Sequence, residues 1–196
     1  MNKTVIWSMI LTLLLSAYGF AGDIKGKAIC KGARDNRNVV VYIESIEKEF
    51  EPPEEHIVMD QKNLTFIPHV LPVVKGTTVD FLNSDDVLHN VFSPDKCADK
   101  MNLGTWPKGK VRSYTFKEEG CRSVLLCNVH PEMEAWVLAL QNPYFSKTEK
   151  DGIYEIKDVP AGKYKLAVWH EKLKASSLEV EVPEEGMVEF DFTLKK

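Results

Sequence analysis

No stretch of this chain repeats its apolar residues at the helical period over an ordinary helix length. What recurs instead is short β-branched or apolar runs: Ile24–Cys30, Val39–Glu44, His56–Met59, Val70–Val74, Thr77–Leu82, Val111–Phe116, Ser123–Cys127 and Ala135–Leu140. Further runs follow at Ile153–Ile156, Tyr164–Trp169, Leu178–Val182 and Met187–Phe192, and pairs such as Lys75-Gly76, Asn83-Ser84 and Glu119-Gly120 supply turns between runs. In the last run Val188, Phe190 and Phe192 alternate with Glu189, Asp191 and Thr193, the pattern of a strand with one covered face. The expected fold class is all-β, and the spacing suits two β-sandwiches.

The N-terminus reads as a targeting segment. Lys3 precedes an uncharged, mostly apolar run from Val5 to Phe20, and small residues stand at Gly19 and Ala21. That layout describes a secretory signal peptide over residues 1–21, cleaved ahead of Gly22; an uncleaved anchor is the alternative. The expected mature chain is exported, to a periplasm or an equivalent compartment, with no stable membrane insertion. Lys3 is the only charged residue of that segment, so 24 of the 25 basic residues remain against 29 acidic, a net charge of −5. Such mild acidity argues against nucleic acid or an anionic membrane as partner. Four cysteines, Cys30, Cys97, Cys121 and Cys127, are too few for a disulfide scaffold, and at least one calls for a chemical role or stays a free thiol.

Two charged or proline-bearing stretches, Glu47–Glu55 and Asn142–Asp151, bracket a self-contained set of strands. Before them stands IKGKAICKGARDNRNVVVYIE, which resembles the opening strands of a carboxypeptidase-regulatory or transthyretin-like sandwich. After them TEKDGIYEIKDVPAGKYKLAVWHE resembles the later strands of that fold. The resemblance implies that residues 22–50 and 143–196 form one small sandwich, with the domain at 51–142 inserted into one of its loops. The alternative keeps Ile24–Glu44 as extra strands of the middle domain.

The residues that carry chemistry lie in Cys127-Asn-Val-His130-Pro-Glu-Met133. Thiolate and thioether are soft donors that favour Cu(I), imidazole suits Cu(I) and Cu(II) alike, and a weak axial sulfur tunes the potential. A His₂Cys site needs one more imidazole, and His89-Asn90 offers it after Phe81-Leu-Asn83-Ser-Asp85. Zinc can use such ligands, but a methionine among them disfavours it.

From His56 to Gln141 the chain resembles the cupredoxins, the blue copper proteins, and its C-x-x-H-x-x-M spacing matches the short ligand loop of the amicyanin group. The resemblance implies a Greek-key sandwich binding one copper ion, with His89 and His130 as imidazole ligands, Cys127 as thiolate and Met133 as axial thioether. It also implies that Asn90 ties the two ligand-bearing segments together by hydrogen bonds. Its redox partner would be a protein such as a c-type cytochrome or a dehydrogenase.

Other candidates carry less. His69 reads as a structural histidine, with a fifth ligand or a redox-port residue as alternatives; His56 and His170 read as surface or capping residues. Cys97 and Cys121 are candidates for a disulfide that pins the loop after His89 to the strand leading into Cys127; two unpaired thiols are the alternative. Paired His-x-His motifs of an oxidase cluster, a Ser-His-Asp signature and a paired-carboxylate motif are all absent, so the expectation is a protein that is not an enzyme. The leading function is one-electron transfer by an exported type 1 copper protein; the alternative is a copper chaperone or sequestration protein, although no Met-rich or His-rich tract is present. Trp169-His170-Glu171 resembles a segment of fused cupredoxin proteins and has no readable purpose in the sequence.

Overall fold

The computed structural model describes residues 21–196, so all of the expected leader but Ala21 lies outside the described residues. Those residues form seventeen strands and one 3-10 turn, Lys96–Ala98, with no α-helix. The protein is all-β.

Residues 57–140 build one sandwich. Its first sheet holds β3 (Ile57–Gln61), β4 (Phe66–Ile67), β6 (Thr78–Asn83) and β9 (Val111–Thr115), in the order β4-β3-β6-β9. Its second holds β5 (Val70–Val74), β7 (His89–Phe92), β8 (Asn102–Trp106), β10 (Arg122–Leu126) and β11 (Glu134–Leu140), in the order β5-β11-β10-β7-β8. Strict alternation in β6 turns Val79, Phe81 and Asn83 inward. Met59, Phe66, Val79 and Phe81 from one sheet meet Val91, Leu125, Ala135 and Val137 from the other in a single core.

The flanks build a second sandwich. In one sheet β1 (Ala21–Cys30) pairs with β13 (Ile153–Pro160), β16 (Met187–Glu189) and β17 (Phe192–Leu194). In the other, β2 (Val40–Ile43) pairs with β12 (Phe145–Lys147) and β14 (Gly162–Trp169), and β14 with β15 (Leu178–Val182). Residues Ile24 and Ile156 face each other across β1 and β13, and Val41 and Val168 across β2 and β14. Every strand partner of β1 and β2 among the described residues therefore comes from beyond residue 144.

The run Val39–Ile43 is apolar at every position because both of its faces are covered. Val39, Val41 and Ile43 enter the core of the flanking sandwich with Ile24, Tyr154 and Leu166. Val40 and Tyr42, with Ala167, meet Val70, Leu138 and Leu140 of the 57–140 sandwich. A strand buried on both sides reads as continuous rather than alternating hydrophobicity.

Several elements differ from expectation. β4, β7, β8 and β12 are strands that the sequence reading did not separate from loops. β8 is an edge strand with a glycine and an asparagine, and β4 spans two residues, so neither carries a propensity signal. The expected strand Met187–Phe192 breaks between Glu189 and Phe192. There Phe190 N–H donates to the Lys25 carbonyl (2.9 Å) and Asp191 accepts the Lys27 N–H (2.7 Å), handing the edge of β1 from β16 to β17.

Cys97 and Cys121 are joined, with a Cα–Cα distance of 5.5 Å and a sequence separation of 24. The bond ties the 3-10 turn to the approach to β10, where the Asp95 carboxylate also accepts the Val124 N–H (2.8 Å). Closing a loop of that length constrains the unfolded chain. Replacing both cysteines by serine is expected to lower the unfolding free energy by about 2–4 kcal/mol, read as a fall in the urea midpoint at unchanged slope.

Candidate metal centre

Three loops meet at one end of the 57–140 sandwich: the β3–β4 turn, the β6–β7 loop and the β10–β11 loop. The β6–β7 loop is locked by Asn83, whose amide donates to the carbonyls of Val87 (2.8 Å) and Trp106 (3.0 Å) and whose Oδ1 accepts the Asp85 N–H (2.9 Å). Asp85 in turn accepts the N–H groups of Asn63 (2.7 Å) and Leu64 (3.0 Å). Both residues sit at φ 56°, a left-handed turn that a leucine rarely adopts, and the carboxylate satisfies the two amides it presents. Burial pushes the Asp85 carboxyl up, but the hydrogen bonds from Leu64, His89 and Asn63 outweigh it and hold the group below its ordinary value.

That carboxylate also faces His89 Nε2 at 2.9 Å. A carboxylate only accepts, so Nε2 donates to it, and in the neutral ring that tautomer leaves the lone pair on Nδ1. Nδ1 points to a cluster in which His89 Nδ1 and His130 Nδ1 lie 3.1 Å apart, with Cys127 Sγ 4.0 Å and 3.9 Å from them. His89 and Cys127 are buried and His130 is half-buried, so the triangle has a covered floor and one open corner. Bonds of about 2.0–2.1 Å to nitrogen and about 2.3 Å to sulfur span donor separations of this size around one ion. Two imidazole nitrogens and one thiol sulfur are the donor set of a trigonal copper site. The residues present fit a copper ion.

Asn90 ties the pieces together. Its backbone N–H donates to Cys127 Sγ (3.4 Å), its amide to the Gly104 carbonyl (2.7 Å) and Asn102 Oδ1 (3.0 Å), and its Oδ1 accepts the Asn128 N–H (3.3 Å). β7, β8 and the β10–β11 loop thus share one side chain. Met133 is buried in the same core cluster as Cys127, and its N–H donates to the His130 carbonyl (3.0 Å), closing a turn across Pro131 and Glu132.

The remaining histidines lie outside the cluster. His69 uses both ring nitrogens, Nδ1 with the Glu134 carbonyl (3.0 Å) and Nε2 with Glu171 (2.8 Å). His56 pairs with Asp80 at the surface (2.9 Å), and His170 Nδ1 accepts the N–H groups of Lys172 and Leu173. Cys30 is a buried free thiol whose pKa burial raises, in the flanking core. Sequence reasoning assigned no role to Asp85 or Glu171. For Asp85 a signal existed, an acid four residues before a candidate ligand histidine.

No protein-family model matches the chain, and no curated protein matches it. Among solved structures, it is similar to the copper-containing nitrite reductase NirK of Thermus scotoductus SA-01, with TM-score 0.43 and 21% identity over 51% of this chain and 25% of that one. It is similar to the reduced state of an amicyanin mutant, with TM-score 0.40 and 28% identity over 50% of this chain and 97% of that one. A purple cupredoxin from Nitrosopumilus maritimus follows at TM-score 0.38 and 24% identity, over 42% and 98%. This chain thus spans a quarter of the reductase and nearly all of the two small cupredoxins.

Proposed function

We propose that this protein is a mononuclear type 1 copper protein, holding one copper ion through His89, Cys127, His130 and Met133. More particularly, it is an exported carrier of single electrons rather than an enzyme. The observation that carries the reading is the convergence of His89 Nδ1, Cys127 Sγ and His130 Nδ1 within 4.8 Å of one another. Copper bound there would supply a Cu(I)/Cu(II) couple.

The chain's own contribution is to hold the donors still and dry. Asp85 fixes the His89 ring, Asn90 fixes the Cys127 sulfur, and the core beneath excludes water, so a change of charge requires little movement. His130 is the ligand nearest solvent. Exposed Leu64, Val87, Leu88 and Val129 lie on the three loops around it, which suits an apolar contact with a redox protein such as a c-type cytochrome or a dehydrogenase. The Cys97–Cys121 bond supports an oxidising, exported setting such as a periplasm. We read the flanking sandwich, residues 22–50 with 143–196, as a transthyretin-like domain into which the copper domain is inserted.

A visible spectrum and a redox titration of the copper-loaded protein test this function. An intense visible thiolate–Cu(II) band and a reversible one-electron couple are expected; a colourless protein that binds Cu(I) alone would favour copper delivery or sequestration instead. Met133→Leu is expected to keep copper bound and to raise the reduction potential, because losing a weak sulfur donor destabilises Cu(II) more than Cu(I). An unchanged potential would remove Met133 from the ligand set.

A further inference from the structure

The Trp169-His170-Glu171 segment supplies no donor to the cluster, yet it reaches the strand that follows the ligand loop. That strand, β11, starts at Glu134, the residue after Met133. One residue grips its start twice: His69 Nδ1 contacts the Glu134 carbonyl (3.0 Å), and the His69 carbonyl accepts the Trp136 N–H (2.8 Å). His69 is held in turn by Glu171, whose carboxylate lies 2.8 Å from Nε2 and is itself anchored by Lys172 (2.9 Å). Trp169, two residues before Glu171, packs on Trp136, two residues after Glu134, with ring centroids 5.4 Å apart. The Trp136 ring nitrogen is buried without a partner, so packing rather than hydrogen bonding holds that indole.

We infer that Trp169, Glu171 and His69 are positioning residues by which the flanking sandwich fixes the start of β11 and, through it, Met133 against the other three donors. The inference rests on the copper reading above. It gives the flanking sandwich a mechanical task in the centre, since Glu171 and His69 are 102 residues apart and meet only when the two sandwiches dock. Loosening this clamp frees the residue next to the weakest donor, so its effect resembles a partial loss of Met133.

Glu171→Ala tests it on the full chain with two independent readouts. In the protein without copper, hydrogen exchange of the Trp136 amide is expected to speed up at least about tenfold, while amides in β6 keep their protection. In the copper-loaded protein, the reduction potential is expected to move in the same direction as in Met133→Leu. Cu(II) affinity is expected to fall by about tenfold, the lower end of what losing an outer hydrogen-bond partner costs a metal site. Glu171→Gln, which keeps an acceptor for His69, is expected to recover most of the wild-type behaviour. Should Glu171→Ala fail to fold, Trp169→Phe carries the same readouts with smaller shifts. A folded variant whose potential, spectrum and Trp136 exchange all match wild type overturns the inference. If the wild-type protein shows no visible band, the type 1 copper reading fails by itself, and Trp136 exchange still decides whether the clamp exists.

Discussion

Cys127→Ser is expected to abolish the visible band completely and to leave a folded chain. The band requires a thiolate on Cu(II), and Cys127 is the only thiol among the clustered donors. A serine hydroxyl is not deprotonated at neutral pH and is a hard donor, so it neither replaces the soft ligand nor supplies the transition. Folding should survive because the residue follows the last paired position of β10, and the ladder between β10 and β11 runs from Arg122–Leu138 to Leu126–Glu134 without it. The lost sulfur contacts and the buried hydroxyl are expected to cost on the order of 1–2 kcal/mol. The experiment compares visible absorption, copper stoichiometry and thermal unfolding with wild type. A retained intense band would show that another sulfur is the ligand and would sink the assignment of Cys127.

Legibility from sequence tracked how local each interaction is. Cys127, His130 and Met133 are near neighbours in sequence, so their joint chemistry shows in the string itself, and His89 could be matched to them by its type and its adjoining asparagine. Asp85 stayed unread, although it stands four residues before a candidate ligand, because its function depends on a turn at Asn63 and Leu64, more than twenty residues away, whose amides it accepts. Glu171 stayed unread for a stronger reason, since its partner His69 lies 102 residues away and belongs to the other sandwich. Strands with a covered face announced themselves through β-branched alternation. Edge and bridging pieces such as Phe66–Ile67 and Asn102–Trp106 did not, because their pairing is imposed by neighbours rather than by propensity.

The architecture carries the second large expectation: Gly26→Ala should unfold the flanking sandwich while the copper centre keeps its colour. Gly26 lies in β1 opposite Tyr154, where the chain crosses closely between β16 and β17. A Cβ at this position would overlap the Phe190 carbonyl oxygen and stand 2.9 Å from the Tyr154 hydroxyl. Neither obstacle is a flexible side-chain end. The Phe190 carbonyl is backbone that accepts the Tyr154 hydroxyl, and burial, with Asp191 and Glu189 nearby, pushes that phenol far above its ordinary value, so it stays a neutral donor. One methyl group must therefore push two strands apart, and the expected loss is on the order of 4 kcal/mol, the exceptional end for a point substitution. A small domain with a marginal margin does not absorb that. The core around Met59, Phe81 and Leu125 shares no residue with the core around Ile24 and Tyr154; between them lie the layer of Val40, Tyr42, Val70 and Leu138 and, beside it, the His69–Glu171 and Trp136–Trp169 contacts. Amides of Ile24, Tyr154 and Phe192 should then exchange freely at a temperature where those of Val79 and Leu125 stay protected and the visible band persists. Bleaching in step with that loss of protection would show that the two sandwiches unfold as one cooperative unit, and the copper domain could not then be treated as a separately stable insertion.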